Sequence, residues 1–266
     1  MNERMRDGRL SVRVMTFNVR FDNPKDGPDN TWEMRRDAAV AVIETHAPDV
    51  VGAQEAMQHQ ADDLRNGLPG YEFFGRSREL SASGEFVPLL WRRDRFEAEQ
   101  KGVFWLSDTP DVEGSLGWDA DAPRIATWAV LKDRGTNNRA FFVANTHLDR
   151  WGALAREASA ELLVTRIAER FSGLPIVLMG DMNAVEGDPP IEVFKAAMLR
   201  DSWRDTSDTS PPTIHHFGER LGGKIDFVLV DPNWKALGAE VLHDRPDGHW
   251  PSDHYPVIAD LELIEA

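Results

Sequence analysis

Six short polar clusters, spread from one end of the chain to the other, carry side chains suited to chemistry on a phosphorus centre. The densest is Leu174–Asn183, L-P-I-V-L-M-G-D-M-N. An apolar run of strand length ends at Gly180, and Asp181 and Asn183 follow at once. Two polar groups at the tip of a buried strand cost free energy unless something uses them, although Asp, Asn and Gly are also ordinary turn residues. Other apolar runs end the same way: at Asn18, at Glu55, at Asn145 with His147 and Asp149, near Asp226, and at Ser252-Asp253-His254. Singly, several have plain readings. Asn18 suits a turn, Glu55 the first turn of a following helix, where a carboxylate favours the dipole, and His147 a hydrogen-bonded core imidazole. Asp226 lies between Ile225 and Phe227 in a buried-type strand, where an ionised carboxylate needs a partner. His254 follows Asp253 in a proline-fixed turn, which favours a working pair. His215 and His216, after Pro211-Pro212, read as surface residues.

As a set, these residues have a common use. Oxygen ligands without thiolates suit Mg2+ or Mn2+. A His that titrates near neutrality can hold or remove a proton of water, and a buried Asp can fix its tautomer. Asn side chains offer neutral donors to developing negative charge. The toolkit fits water attack on phosphorus, with a metal neutralising the phosphate oxygens and the leaving group.

The elements that must position them follow from periodicity. Strands are expected at Ser11–Asn18, Asp49–Gln54, Tyr71–Gly75, Phe86–Trp91, Phe96–Trp105, Ile125–Leu131, Ala140–Thr146, Ile176–Met179, Lys224–Val230, Leu237–His243 and Tyr255–Glu262. Helices are expected at Trp32–Thr45, Met57–Asn66, Leu154–Phe171 and Ile191–Met198, the third having the clearest apolar stripe. Leu106–Pro123 reads as a long acidic loop and Asp201–Phe217 as irregular. Strands that often follow one another directly, with few helices, imply an α+β fold of two mixed sheets packed face to face with helices outside. No linker or repeat divides the chain, so a single domain over residues 1–266 is expected, with 1–10 flexible.

The 266 residues are 41% hydrophobic, enough for a sizeable core, and carry a formal net charge of −15. Nucleic-acid affinity rests largely on Lys and Arg neutralising phosphates, so tight non-specific DNA binding is not expected. There are no cysteines, which excludes disulfides, thiolate zinc sites and cysteine nucleophiles. The sequence has no signal-type apolar segment at its start and no bilayer-length run, so a cytoplasmic location is expected.

The blocks T-F-N (Thr16–Asn18), Q-E (Gln54-Glu55), N-T-H-L-D (Asn145–Asp149), G-D-M-N (Gly180–Asn183), K-I-D-F-V (Lys224–Val228) and S-D-H-Y-P-V (Ser252–Val257) occur in that order across nearly the whole chain. In this the sequence resembles the endonuclease/exonuclease/phosphatase superfamily, the deoxyribonuclease-I-like fold. The resemblance implies a four-layer α/β/β/α sandwich and a Mg2+- or Mn2+-dependent phosphoric ester hydrolase. It implies Glu55 as principal metal ligand, with Asn18 beside it and Asp253 closing the metal site. His254 would be general base or electrostatic clamp, oriented by Asp226. Asp181 would position or deprotonate water, and Asn183 and His147 would hydrogen-bond phosphate oxygens. Some nucleases of the family have an acidic residue where Arg20 stands, so a metal ligand is lost there and a phosphate-facing cation gained. F-W-L-S (Phe104–Ser107), G-W-D-A (Gly117–Ala120) and P-R-I-A-T-W (Pro123–Trp128) resemble a bacterial branch of uncertain substrate. Arg124 is expected at phosphate, or in a salt bridge to the acidic loop before it. Asn145, Asp149 and Trp118 are expected near substrate, with Trp118 and Trp151 as stacking surfaces or buried anchors. The expected substrate is a phosphorylated small molecule or a short nucleic acid, cut at a phosphodiester or phosphomonoester. The alternatives are a nuclease acting on DNA or RNA, and an inactive binding module.

Overall fold

The computed structural model describes residues 10–81 and 83–264. In chain order the elements are β1 (Ser11–Asn18), α1 (Trp32–His46), β2 (Val50–Gln54), α2 (Gln58–Gly67), β3 (Tyr71–Phe74), β4 (Leu89–Arg92), β5 (Phe96–Trp105), β6 (Ile125–Asp133) and β7 (Arg139–His147). They continue with α3 (Ala153–Phe171), β8 (Ile176–Asp181), α4 (Pro189–Ala196), β9 (Arg200–Asp201), β10 (Asp226–Val230), β11 (Trp234–Val241) and β12 (Val257–Leu263). Of the segment expected to be flexible, residues 1–9 lie outside the described residues, and Leu10 is fully buried.

Alternation within strands builds the layers. In β1, Val12 and Val14 face the second sheet while Met15 and Phe17 face α1 and α2, because successive side chains point to opposite faces. The two six-stranded sheets have the orders β11-β12-β1-β2-β4-β3 and β5-β6-β7-β8-β10-β9. A dry core that includes Val14, Val50, Phe141, Val143, Val177 and Val228 fills the space between them. Ala39, Val42 and Ile43 of α1 and Leu64 of α2 cover the outer face of the first sheet. Leu163, Ile167 and Phe171 of α3, three or four residues apart, join Phe194 of α4 on the outer face of the second. The result is the α/β/β/α sandwich.

Differences from the sequence reading have local causes. The strand expected from Phe86 begins at Leu89, since Pro88 has no N–H to give the ladder; Phe86 makes only isolated bridges to Ala56 and Ser77. The 201–217 region contains short 3-10 turns at Ser202–Asp205 and His216–Gly218. His215 is not a surface residue: it is fully buried, 4.0 Å from the Tyr255 ring and 4.4 Å from Trp250.

β1 and β2 run parallel, as do β7 and β8, and their C-terminal ends meet at one end of the sandwich. There the dry core stops on a polar floor. Gln54 Nε2 donates to Thr16 Oγ1 (3.0 Å) and Asn145 Oδ1 (2.7 Å), and Asn145 Nδ2 donates to the carbonyls of Ala53 (2.7 Å) and Pro88 (2.8 Å). Gly52 leaves room for this network. A Cβ on it would lie 2.7 Å from Asn145 Cγ and 2.8 Å from Met179 Sδ.

Candidate active site

Strand register places three groups side by side beyond that floor. His147 of β7 and Asp226 of β10 both pair with Asp181 of β8, from its two sides. Gly180 makes the approach possible: with φ at 150°, a Cβ there would lie 1.9 Å from the Thr146 carbonyl oxygen. From the other sheet, β1 ends in Asn18, and the chain leaving β2 delivers Glu55 in the left-handed region (φ 62°). That conformation is costly for a residue other than Gly or Asn, so the surroundings hold Glu55 in place.

Asn18 joins the sheets. Its Nδ2 donates to Glu55 Oε1 and to Asp181 Oδ2, both at 3.0 Å, and its Oδ1 accepts the Arg20 N–H (2.9 Å). The expected ligand oxygen of Asn18 is therefore turned away from the carboxylates, and the side chain holds them by donation. Glu55 Oε2 accepts the Phe21 N–H, and Asp181 Oδ1 the Asn183 N–H (2.8 Å). Asn183 gives its amide hydrogens to Leu148 O (3.0 Å) and His147 Nε2 (2.9 Å), so it steers His147 instead of offering a free donor. Because His147 accepts at Nε2, its proton sits on Nδ1, 3.9 Å from Glu85 Oε2. His254 also carries a proton on Nδ1, but gives it to a carboxylate: Nδ1 donates to Asp226 Oδ2 at 2.9 Å, and Nε2 lies 3.9 Å from Asp181 Oδ2.

Burial and charge set the protonation states. Burial pushes Asp181 up to about 7, reinforced by the neighbouring charge of Asp226. Burial alone would lower His254, but Asp226, and after it Asp253 and Asp181, raise it to about 10. His147 is driven well below the ordinary imidazole range by burial and the Arg124 charge, in keeping with its accepting Nε2. Glu55 is held down to about 2: burial works against this, and the charges of Arg20 and His254, with the hydrogen bond from Asn18, prevail. The end of the sandwich thus holds a cationic imidazole beside a carboxyl group poised near neutrality.

One guanidinium fastens the loops that carry these groups. Arg35 of α1 is fully buried and, among the described residues, makes no carboxylate pair; it donates to the carbonyls of Asn30 (2.8 Å), Val19 (2.8 Å), Pro251 (3.0 Å) and Arg20 (3.0 Å). Ser252 Oγ adds a 2.6 Å bond to Asn18 O.

These residues line a cavity of about 260 Å³. Glu55, His147, Asp181, Asn183, Asp253, His254, Arg20 and Arg124 reach it. Arg20 gives its fork to Asp26 (2.8 Å twice) and lies 3.9 Å from Glu55 and 3.7 Å from Asp253. Arg124 pairs with Asp149 (3.1 Å) and not with the loop before it, and its Nη1 is buried without a partner. Three expected substrate contacts are not on the cavity. Asn145 belongs to the floor, both ends of its amide engaged. Asp149 is fully buried behind the wall, where it accepts from Arg124 and from three backbone N–H groups. Trp118 does not line the cavity, whereas Trp151 does. Sequence reasoning missed Arg78, Glu85, Asp121, Arg150 and His216, all on loops without periodicity. Arg78 and Glu85 are paired at 2.8 Å.

The ligand atoms of Glu55, His147 and Asp181 lie within 4.8 Å of one another, as do those of Asp181, Asp226 and His254. In the second group the imidazole is already bonded to Asp226, so it reads as a proton-holding chain. Around the first, half-buried Glu55 and buried Asp181 and Asp253 bring three carboxylates to one cavity without a thiolate, a donor set that fits a hard divalent cation. Among the described residues no helix is long and apolar enough to cross a membrane.

Comparison with known proteins agrees with this geometry. The model of the endonuclease/exonuclease/phosphatase family matches residues 15–254. An endonuclease/exonuclease/phosphatase structure from Bacteroides vulgatus superposes with a TM-score of 0.90 at 37% identity, over 96% of this chain and 100% of that one. A mannosyl-6-phosphatase from Bacteroides thetaiotaomicron VPI-5482 does so at 0.86 and 32%, over 94% and 99%. The uncharacterized protein L388 of Acanthamoeba polyphaga mimivirus is 28% identical over 165 residues, 57% of this chain. The chain spans 25% to 59% of the length of the curated relatives it matches.

Proposed function

The chain belongs to the endonuclease/exonuclease/phosphatase family, and from that premise we propose that it hydrolyses a phosphate ester of a small molecule, with a divalent cation, by attack of water on phosphorus. The observation that carries this reading is the hydrogen-bonded line Glu55–Asn18–Asp181 beside the Asp226–His254 pair, with Glu55, Asp181 and His254 on one cavity. Asp181 accepts the proton of the attacking water as the new P–O bond forms. Cationic His254, held by Asp226, places its Nε2–H against the phosphate, and Arg124 Nη1 supplies a second charged donor. The ester oxygen leaves with the electron pair of the broken P–O bond and takes up a proton. Glu55 and Asp253 would hold the cation, Mg2+ or Mn2+. When bound, it neutralises charge on the phosphate and the leaving oxygen.

A small substrate is supported by the size of the cavity and by its five carboxylates, Glu55, Glu85, Asp121, Asp181 and Asp253, which oppose a long polyanion. The 32% identity to a mannosyl-6-phosphatase over nearly its whole length supports the same choice. The test is release of p-nitrophenol from its mono- and bis-phosphate esters with Mg2+ or Mn2+. Turnover is expected, and EDTA and Asp181→Ala should each abolish it. Turnover indifferent to chelation would overturn the reading.

A further inference from the structure

One wall of the cavity gives only Arg124 to the chemistry just described, and a single buried carboxylate organises it. Asp149 Oδ1 accepts the N–H groups of Trp151 (2.9 Å) and Gly152 (2.7 Å), while Oδ2 accepts Arg124 Nε and the Asp121 N–H, both at 3.1 Å. Three cavity residues, Asp121, Arg124 and Trp151, are thus fixed relative to one another by one group that solvent does not reach.

Their chemistry is mixed in an informative way. Arg124, 7% exposed with Nη1 lacking a partner, awaits an anion. Asp121 is at the cavity, and no hydrogen bond or ion pair engages its carboxylate among the described residues. Trp151 is 69% exposed, with the Arg150 guanidinium 4.9 Å from its ring centroid. A free carboxylate next to a phosphate site repels a second phosphate or an acid, yet accepts well from hydroxyl groups. A large aromatic face left open on a pocket rim offers area to a flat, partly apolar partner at little entropic cost. A nucleobase would use such a face too, but its flanking phosphates would meet Asp121 and Glu85. A neutral ring carrying hydroxyl groups suits all three side chains.

We propose that Asp121, Arg124 and Trp151 form a leaving-group subsite that selects a neutral polyhydroxylated ring: the phosphate lies on Arg124, the hydroxyls on Asp121 and the C–H face of the ring on Trp151. The inference rests on the phosphoesterase reading above and adds the substrate class to it.

The experiment compares a hexose 6-phosphate with cyclohexylmethyl phosphate, which keeps the ring and loses the hydroxyls, each as monoester and as methyl diester, by phosphate or alcohol release. The expected kcat/KM ratio in favour of the hexose ester is about tenfold, what a hydrogen bond to a solvent-exposed carboxylate supplies. Asp121→Ala should bring that ratio close to one, and Trp151→Ala should lower kcat/KM for both ring esters about tenfold without moving the ratio, with the thermal midpoint reporting that each variant folds. In parallel, saturation-transfer NMR of the hexose 6-phosphate on Asp181→Asn reads binding without turnover. Ring protons should receive saturation, and Trp151→Ala in that background should remove it. A wild-type ratio near one, a ratio that Asp121→Ala does not move, or ring-ester kcat/KM values that Trp151→Ala leaves unchanged, overturns the subsite while leaving the phosphoesterase reading intact. If no ester is turned over, the phosphoesterase reading fails, and the NMR contact, present or absent, decides the subsite by itself.

Discussion

His254 Nδ1 and Asp226 Oδ2 lie 2.9 Å apart with both side chains withdrawn from solvent, so the imidazole carries its proton on a fixed nitrogen and turns the other toward Asp181. The anion also stabilises the imidazolium, which titrates at about 10. Asp226→Asn removes that charge, so the His254 pKa must fall, since losing a neighbouring anion disfavours the cation. The expected result is a lower imidazole pKa by NMR titration and a kcat reduced by about 100-fold or more. An unmoved pKa would show that Asp226 does not support the cation.

Glu55 is the carboxylate most firmly ionised in the cavity, at about 2, and so the one best prepared to hold a cation at any ordinary pH. Adding MgCl2 or MnCl2 should raise the thermal midpoint, because a ligand that binds only the folded state stabilises it. Glu55→Gln should abolish the rise and increase the cation concentration needed for half-maximal activity. An equal rise in both proteins would place the cation elsewhere.

His215 predicts a pH effect on stability away from the chemistry. Burial, with the charge of His254, lowers it from 6.5 to about 4. Its Nδ1 accepts the Gly218 N–H (3.1 Å), an acceptor that protonation would destroy, and its Nε2 is buried without a partner. Between 6.5 and 4 the unfolded chain takes up a proton that the folded chain refuses, so this contribution is complete above 6.5 and lost as pH falls through that interval. Urea midpoints should therefore fall more steeply with acidification in wild type than in His215→Gln. Parallel curves would refute this.

Gly52 of β2 faces Asn145 of β7 and Met179 of β8 over the polar floor. Gly52→Ala drives a methyl group to within 2.7 Å of Asn145 and 2.8 Å of Met179. The expected loss is about 1–3 kcal/mol by denaturant unfolding, with an unchanged m-value. No loss would mean that the floor can yield.

What the sequence made legible, and what it hid, divides along the range of the interactions. β1 and α3 are written in short periods, and the structure returns β1 at its expected ends and α3 within one residue. Glu55, Asp181, Asp226 and His254 were visible because a charge at the tip of an apolar strand calls for an explanation, and the ordered blocks supplied one. Asn145 was misplaced for a geometric reason. It shares a face with His147, and two residues along a strand is a step of about 6.6 Å. That step separates floor from cavity, and no local pattern marks where one becomes the other. Asp121, Glu85 and His215 act through tertiary approach. His215 reads as a surface residue until Trp250 and Tyr255, far along the chain, close over it.

The Arg35 clamp and the pairing of β12 with β1 bring residues 251–254 against residues 18–20. The ensemble therefore assembles only once Ser252, 234 residues beyond Asn18, has been made and has folded back against it. A chain halted before Asp253 has neither that carboxylate nor the imidazole beside it. Recovered turnover after dilution from denaturant thus reports that this one long-range closure has been made.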